Sequence, residues 1–263
     1  MTSVLERFAR SALARAQAES LEAPLATLEE LIGRLPAPRP FLVRLTRMAG
    51  PPPRVIAEMK RASPSAGMLR PDYRPLQIAR GFTRVGAAAV SVLTEPTEFG
   101  GEISHLSDVR PAHLPVLRKD FLVTPYQVAQ SRAAGADAVL LIAALLPGQS
   151  LAAMLGEARR YGLDALVEVH DTEEIARAAD AGATLIGVNN RDLRTLHVDV
   201  ETCLKLVDSL PAGVVKVAES GIRSRAQIDR LMAAGYEAFL VGEELMRAAD
   251  PGDALWRMLQ PES

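Results

Sequence analysis

At 263 residues, 48% of them apolar and with a formal charge of −2, the chain can bury one sizeable core and lacks the basic excess of a nucleic-acid-binding protein. A single cysteine, Cys203, excludes an intrachain disulfide and fits a reducing cytoplasm. The longest apolar run, Ala138 to Leu146, is roughly half of the ~20 residues that a membrane helix needs.

Residues 1–48 read as helical. The stretch VLERFARSALARAQAESLEAPLATLEELI has no continuous apolar centre, so no signal peptide is expected there. Glu6, Glu19, Glu22, Glu29 and Glu30 argue against an Arg-rich transit peptide. The Pro-rich breaks LPAPRP and AGPPPR flank a short helix over FLVRLTRMA. This segment is too small to bury a core of its own, so it predicts an extension packed on a single domain that spans 1–263.

From Arg54 onward, short apolar runs alternate with helical stretches. Strands are expected near 54–60 (RVIAEMK), 87–93 (AAAVSVL), 114–119 (LPVLRK) and 137–143 (DAVLLIA), then near 165–169 (ALVEV), 183–189 (ATLIGVN), 214–219 (VVKVAE) and 237–242 (EAFLVG). Each is short and rich in Val, Ile, Leu or Ala, the composition of strands buried on both faces. Between them lie amphipathic stretches such as PLQIARGFTRVG, PYQVAQSRAAGA, SLAAMLGEARRYG and SRAQIDRLMAAGY. Gly86-Ala87, Gly135-Ala136 and Gly182-Ala183 read as helix-ending glycines that deliver the chain into the next strand. Eight such units predict an α/β fold, a (β/α)8 TIM barrel with an N-terminal helical extension; an open doubly wound sheet is the alternative.

The ionisable groups fall in a pattern. Glu58 and Lys60 end the first strand, Lys119 the third, Asn189 the sixth and Glu219 the seventh, while Glu168 lies near the end of the fifth. These are carboxyl ends, the face that carries active sites in this barrel. Glu58 and Lys60 are two apart and share one side of their strand. If that side is inward, three carboxylates, two ammonium groups and an amide converge on one mouth. For a single residue, a strand-end charge reaching solvent is the simpler reading; repetition over five strands argues against it, because buried charges are tolerated only when paired.

A second pattern suits a phosphoryl group. Ser220-Gly221 follows the seventh strand and Gly242-Glu243 the eighth, where this fold cradles phosphate on backbone N–H groups. Ser63, after the first strand, adds a hydroxyl from the neighbouring strand of a closed ring. Ordinary turn chemistry would also supply Ser and Gly at such places.

The stretches AEMKRASPSAG, SVLTEPTEFGG, LPVLRKDFLV, GADAVLLIAALL, ALVEVHD, GVNNRDL, VAESGI and LVGEELM, in this order, resemble the indole-3-glycerol-phosphate synthase family from Val55 to the C-terminus. The resemblance implies ring closure, decarboxylation and dehydration of 1-(2-carboxyphenylamino)-1-deoxyribulose 5-phosphate in tryptophan biosynthesis. By motif, it implies Lys119 as the general acid at the substrate ketone. Lys60 would grip the substrate's anionic groups and take part in later proton transfer. Glu58 and Glu168 would orient the lysines and act as base during dehydration. Asn189, Arg191 and Glu219 would fix hydroxyls and carboxylate, and Ser63, Ser220, Gly221, Gly242 and Glu243 would hold phosphate. Glu243 stands where some relatives carry Ser, so only its main chain is expected to face the phosphate.

No cofactor or metal is expected, since His105, His113, His170 and His197 lack metal-ligand spacing; His170 is expected to cap or solvate a loop. Phe8, Phe41 and Trp256 read as packing, the Met residues as core filler and Tyr126 as the start of a helix. Phe99 is the candidate for contact with the substrate's aromatic ring. The expected partner is a small phosphorylated substrate, with neither nucleic acid nor membrane. The chain is expected to be a cytoplasmic monomer, with association with other tryptophan-pathway enzymes a further expectation. Two rival activities fit the same residues: a Schiff-base aldolase, and a non-catalytic phosphate-binding barrel.

Overall fold

A computed structural model describes residues 4–46, 52–193 and 195–261. Among the described residues, eight parallel strands close into a barrel in sequential order. They are β1 (Arg54–Met59), β2 (Ala89–Leu93), β3 (Val116–Lys119), β4 (Ala138–Ile142), β5 (Asp164–Val169), β6 (Leu185–Asn189), β7 (Val215–Glu219) and β8 (Ala238–Val241). β1 closes the ring by pairing with both β2 and β8. Several strands start later than the apolar runs suggest, because the Gly-Ala pairs are turns: Gly86, Gly135 and Gly182 all have positive φ, between 77° and 95°, as helix-ending glycines do.

Period two sorts each strand's side chains. Ile56, Ala89, Leu117, Leu140, Leu166, Leu185, Val217 and Leu240 fill the barrel interior. Their neighbours Val55, Val90, Val116, Val139, Val167, Ile186, Ala218 and Phe239 face the helical shell. One strand therefore serves two cores, and its inward positions lead at the carboxyl end to Glu58, Lys119, Glu168, Asn189 and Glu219.

The helical shell includes α4 (Pro75–Val85), α6 (Pro125–Ala133), α7 (Ser150–Arg160), α8 (Thr172–Asp180), α10 (Arg225–Ala234), α11 (Glu243–Arg247) and α12 (Pro251–Leu259), with the short α5 (Ser104–Val109) and α9 (Glu201–Leu206). Side-chain caps start several of them. Thr124 and Gln127 form a reciprocal capping box on α6, and Asp171 caps α8.

The N-terminal segment reaches both ends of the barrel. It forms α1 (Val4–Glu22), α2 (Leu25–Arg34) and α3 (Phe41–Leu45). Phe41 and Leu45, fully buried, join the interior cluster, and the Leu42 N–H donates to Asp164 at the start of β5, 2.8 Å. α3 thus plugs the amino end of the barrel. α1 crosses the carboxyl end, where Arg15 forms a salt bridge with buried Asp120, 2.9 Å, and Phe8 stacks on Phe121 with centroids 4.3 Å apart. Tyr126, in the first turn of α6, donates its hydroxyl to the Ala23 carbonyl at the end of α1. Of the helix expected over FLVRLTRMA, residues 47–49 lie outside the described residues, as do 50 and 51 of the Pro-rich break that follows.

Candidate active site

A cavity of about 450 Å³ opens at the carboxyl end of the barrel, within the size range of small-molecule sites. Every sequence-predicted site residue lines it: Glu58, Lys60, Ser63, Phe99, Lys119, Glu168, Asn189, Arg191, Glu219, Ser220, Gly221, Gly242 and Glu243. Strand register explains the convergence, since Glu168 lies beside Gly187 and Asn189 beside Glu219.

The charges are paired at the mouth. Lys60 Nζ donates to Glu58 Oε1 at 2.6 Å, and Lys119 Nζ donates to Glu168 Oε2 at 3.1 Å. Burial alone would neutralise these groups. At Lys119 burial works against the charge, but the Glu168 and Glu58 carboxylates outweigh it and hold the ammonium above its usual range. Burial also pushes Glu58 and Glu168 up. Lys60 and Lys119 reverse this at Glu58, Lys119 and His170 reverse it at Glu168, and both carboxyls titrate below their ordinary range. Glu219 goes the other way. Burial and the neighbouring Glu168 charge raise it well above an ordinary carboxyl, and its Oε1 is buried without a hydrogen-bond partner. The site thus holds ionised and protonated carboxyls side by side, a division suited to acid–base work.

Two glycines make room for these carboxyls. A Cβ on Gly187 would overlap the Glu219 carboxylate, and one on Gly242 would overlap that of Glu58. Around the expected phosphate position, Ser220 and Gly221 both have positive φ, 66° and 75°, a conformation that costs a non-glycine residue about 1–2 kcal/mol. Ser63 Oγ accepts from the Ala66 N–H, 3.2 Å. The Glu243 carboxylate turns to Arg247, 3.1 Å, and Arg191, 3.7 Å, which answers the charge problem raised by a carboxylate at that position. Arg191 is also tied down by donation to the Leu196 carbonyl, 3.0 Å.

Several functional positions escaped the sequence reading. Phe8 is more than packing: besides stacking on Phe121, it lines the cavity with Val4 and Leu5 of α1. Phe121 follows Lys119 by two positions but was not singled out, and with Phe99 and Leu140 it completes an apolar wall. Glu95 accepts from the Thr97, Glu98 and Phe99 N–H groups, and so shapes the loop that presents Phe99. Trp256, expected as packing, is 51% exposed, and Met68, expected as core filler, is 55% exposed. His170, expected to cap or solvate a loop, lies in the turn before α8, where its backbone N–H donates to Glu174 Oε2 at 2.8 Å. Its ring is largely buried between Glu174, 3.1 Å, and Glu168, 3.5 Å. Strand parity is the signal that would find Leu140, two positions after Ala138, and His170, two after Glu168; nothing local marks Phe8.

Comparison with known proteins agrees with this geometry. The sequence model of the family described as indole-3-glycerol phosphate synthase matches residues 5–258. The indole-3-glycerol phosphate synthase of Acidithiobacillus ferrooxidans is 49% identical over 88% of this chain and 89% of its own length. That of Dechloromonas aromatica is 44% identical over 98% and 99%. Among solved structures, a 3-hexulose-6-phosphate synthase from Salmonella typhimurium matches with a TM-score of 0.62, covering 78% of this chain and 98% of that one at 14% identity, a likeness of fold alone. The chain belongs to the indole-3-glycerol phosphate synthase family.

Proposed function

We propose that this cavity makes indole-3-glycerol phosphate from 1-(2-carboxyphenylamino)-1-deoxyribulose 5-phosphate, with Lys119 as the acid of ring closure. The observation that carries the reading is the meeting of Lys60, Lys119, Glu58, Glu168 and Glu219 in one cavity that has an apolar wall on one side and the Ser220–Gly221 and Gly242–Glu243 turns on the other.

The phosphate sits against those turns and Ser63 and anchors the chain, so that remote binding energy holds the reacting atoms together. The aromatic ring lies against Phe8, Phe99 and Phe121, and Lys60 faces its carboxylate. The ring carbon bearing that carboxylate attacks the ketone. The carbonyl electron pair moves to oxygen, which takes a proton from Lys119. Carbon dioxide then leaves, and the electron pair of its bond restores the aromatic ring. In the last stage the nitrogen lone pair expels the new hydroxyl, which departs as water with a proton from Lys60 or Lys119. Glu58 or Glu168 removes a proton from the adjacent methylene, and the pyrrole ring becomes aromatic. Two protons are given and one is taken, so each turnover consumes one. Positioned proton donors and acceptors of this kind contribute about 10²- to 10⁴-fold each. Asn189, Arg191 and Glu219 orient the substrate's hydroxyls and carboxylate.

The test is direct. Purified protein mixed with this substrate develops indole fluorescence; a flat trace with folded protein would sink the assignment.

A further inference from the structure

The catalytic carboxylate Glu168 has two faces. Oε2 accepts from Lys119 at 3.1 Å, inside the cavity. Oε1 faces His170 Nε2 at 3.5 Å. His170 is not free to turn. Its backbone N–H donates to Glu174 Oε2 at 2.8 Å, and its Nδ1 lies 3.1 Å from the same oxygen. Neither His170 nor Glu174 is among the residues that line the cavity. Nε2 is buried and has no hydrogen-bond partner among the described residues.

A neutral imidazole cannot satisfy this arrangement. With the proton on Nδ1 for Glu174, the Nε2 lone pair would point at a carboxylate oxygen. With the proton on Nε2, the repulsion moves to Glu174. Only the doubly protonated ring offers an N–H to both. We propose that His170 is a positioning residue for the reaction: its imidazolium, held by Glu174, attracts Oε1 of Glu168 across 3.5 Å and so aims Oε2 at Lys119. The charged groups facing the ring are Glu174, Glu168 and Lys119. Burial and Lys119 oppose the imidazolium, whereas the two carboxylates outweigh them and raise it above the ordinary histidine value. In return, the imidazolium helps hold Glu168 as a carboxylate. The inference rests on the roles given above to Lys119 and Glu168.

Three measurements test it. In wild-type protein without substrate, the His170 ring signals, identified by their loss in His170→Gln, titrate above the free-histidine value, and Glu174→Gln lowers that midpoint while retaining an acceptor for the backbone N–H. In His170→Gln, kcat falls by ~10- to 10²-fold, the scale of a small misplacement of a reacting group. KM changes much less, and the acidic limb of the kcat profile moves to higher pH because Glu168 loses a neighbouring cation. Glu174→Gln shifts that limb in the same direction by a smaller amount. A wild-type His170 midpoint below 6.5, or acidic limbs that stay in place in both variants, overturns the proposal. The titration needs no turnover, so it stands apart from the Lys119 assignment, which fails on its own if Lys119→Ala remains active.

Discussion

The two ends of this barrel are built from the same eight strands, yet they treat buried charge in opposite ways. At the amino end, Asp137 is fully buried and each oxygen is used. It accepts from the Arg39 N–H at 2.8 Å, from Arg110 at 2.9 Å and from the Val116 N–H at 2.9 Å. Phe41 and Leu45 seal that end. At the carboxyl end, Glu219 keeps an unpartnered buried oxygen and His170 an unpartnered ring nitrogen, beside a cavity. A buried polar atom left without a partner costs about 1–3 kcal/mol. At Glu219 the fold carries that cost in the wall of the cavity. One end stabilises, and the other trades stability for chemistry.

Substitutions at the two ends should therefore fail in different assays. Lys119→Ala should reduce kcat/KM by at least about 10²-fold and up to about 10⁴-fold, while the product still binds through its phosphate; near-normal turnover would remove Lys119 from the acid role. Phe41→Ala, at the opposite end, should lower the unfolding free energy by about 3–5 kcal/mol through the cavity it leaves. Its kcat, measured below the lowered melting temperature, should remain close to wild type. If Phe41→Ala instead abolished turnover in folded protein, the ends would not be separable.

A third substitution sharpens the contrast inside one layer. Gly187→Ala adds only a methyl group, but that methyl overlaps the Glu219 carboxylate and crowds Leu166. Displacing a site group in this way should cost about 10²-fold in kcat/KM and about 1–3 kcal/mol of stability. Retained activity would show that Glu219 can move without consequence.

The smallest expected effect is one of pH. Because Glu219 is raised well above an ordinary carboxyl, the folded protein binds its proton where the unfolded chain has lost it. Wild-type stability therefore falls as pH rises from the unfolded value through the folded one. Glu219→Gln keeps a neutral donor beside Glu168 and removes that slope. Its melting temperature should match wild type near pH 5 and exceed it near pH 8, by about 2–4 °C for each 1 kcal/mol gained. Parallel melting curves across that range would contradict a protonated Glu219.

How much of this was legible in advance differs by position. Strand parity is a local property, so the shared side of Glu58 and Lys60, and the place of Lys119, Glu168, Asn189 and Glu219 at or near strand ends, could be read from spacing, whereas which side faces inward could not. The Gly-rich turns after β7 and β8 were legible for the same reason. Phe8 was not, because its place beside Phe121 depends on where α1 crosses the barrel. Arg118 was also missed. It is fully buried between β3 and α6, donating to Thr94, Asp120, Gln130 and Ser131, and no pattern in its own strand marks such a network.

Alternating periodicity, turn glycines and the order of charged strand ends were enough to establish a closed barrel with a charged mouth, since each acts over a few neighbouring residues. The partner of each charge was not written in that local code. That Glu168 stands between Lys119 and His170, that Asp120 binds Arg15 of α1, and that Phe41 stops the far end all depend on distances between segments far apart in the chain. Such distances exist only once the ring has closed, because closure alone brings non-adjacent strands within reach of one another.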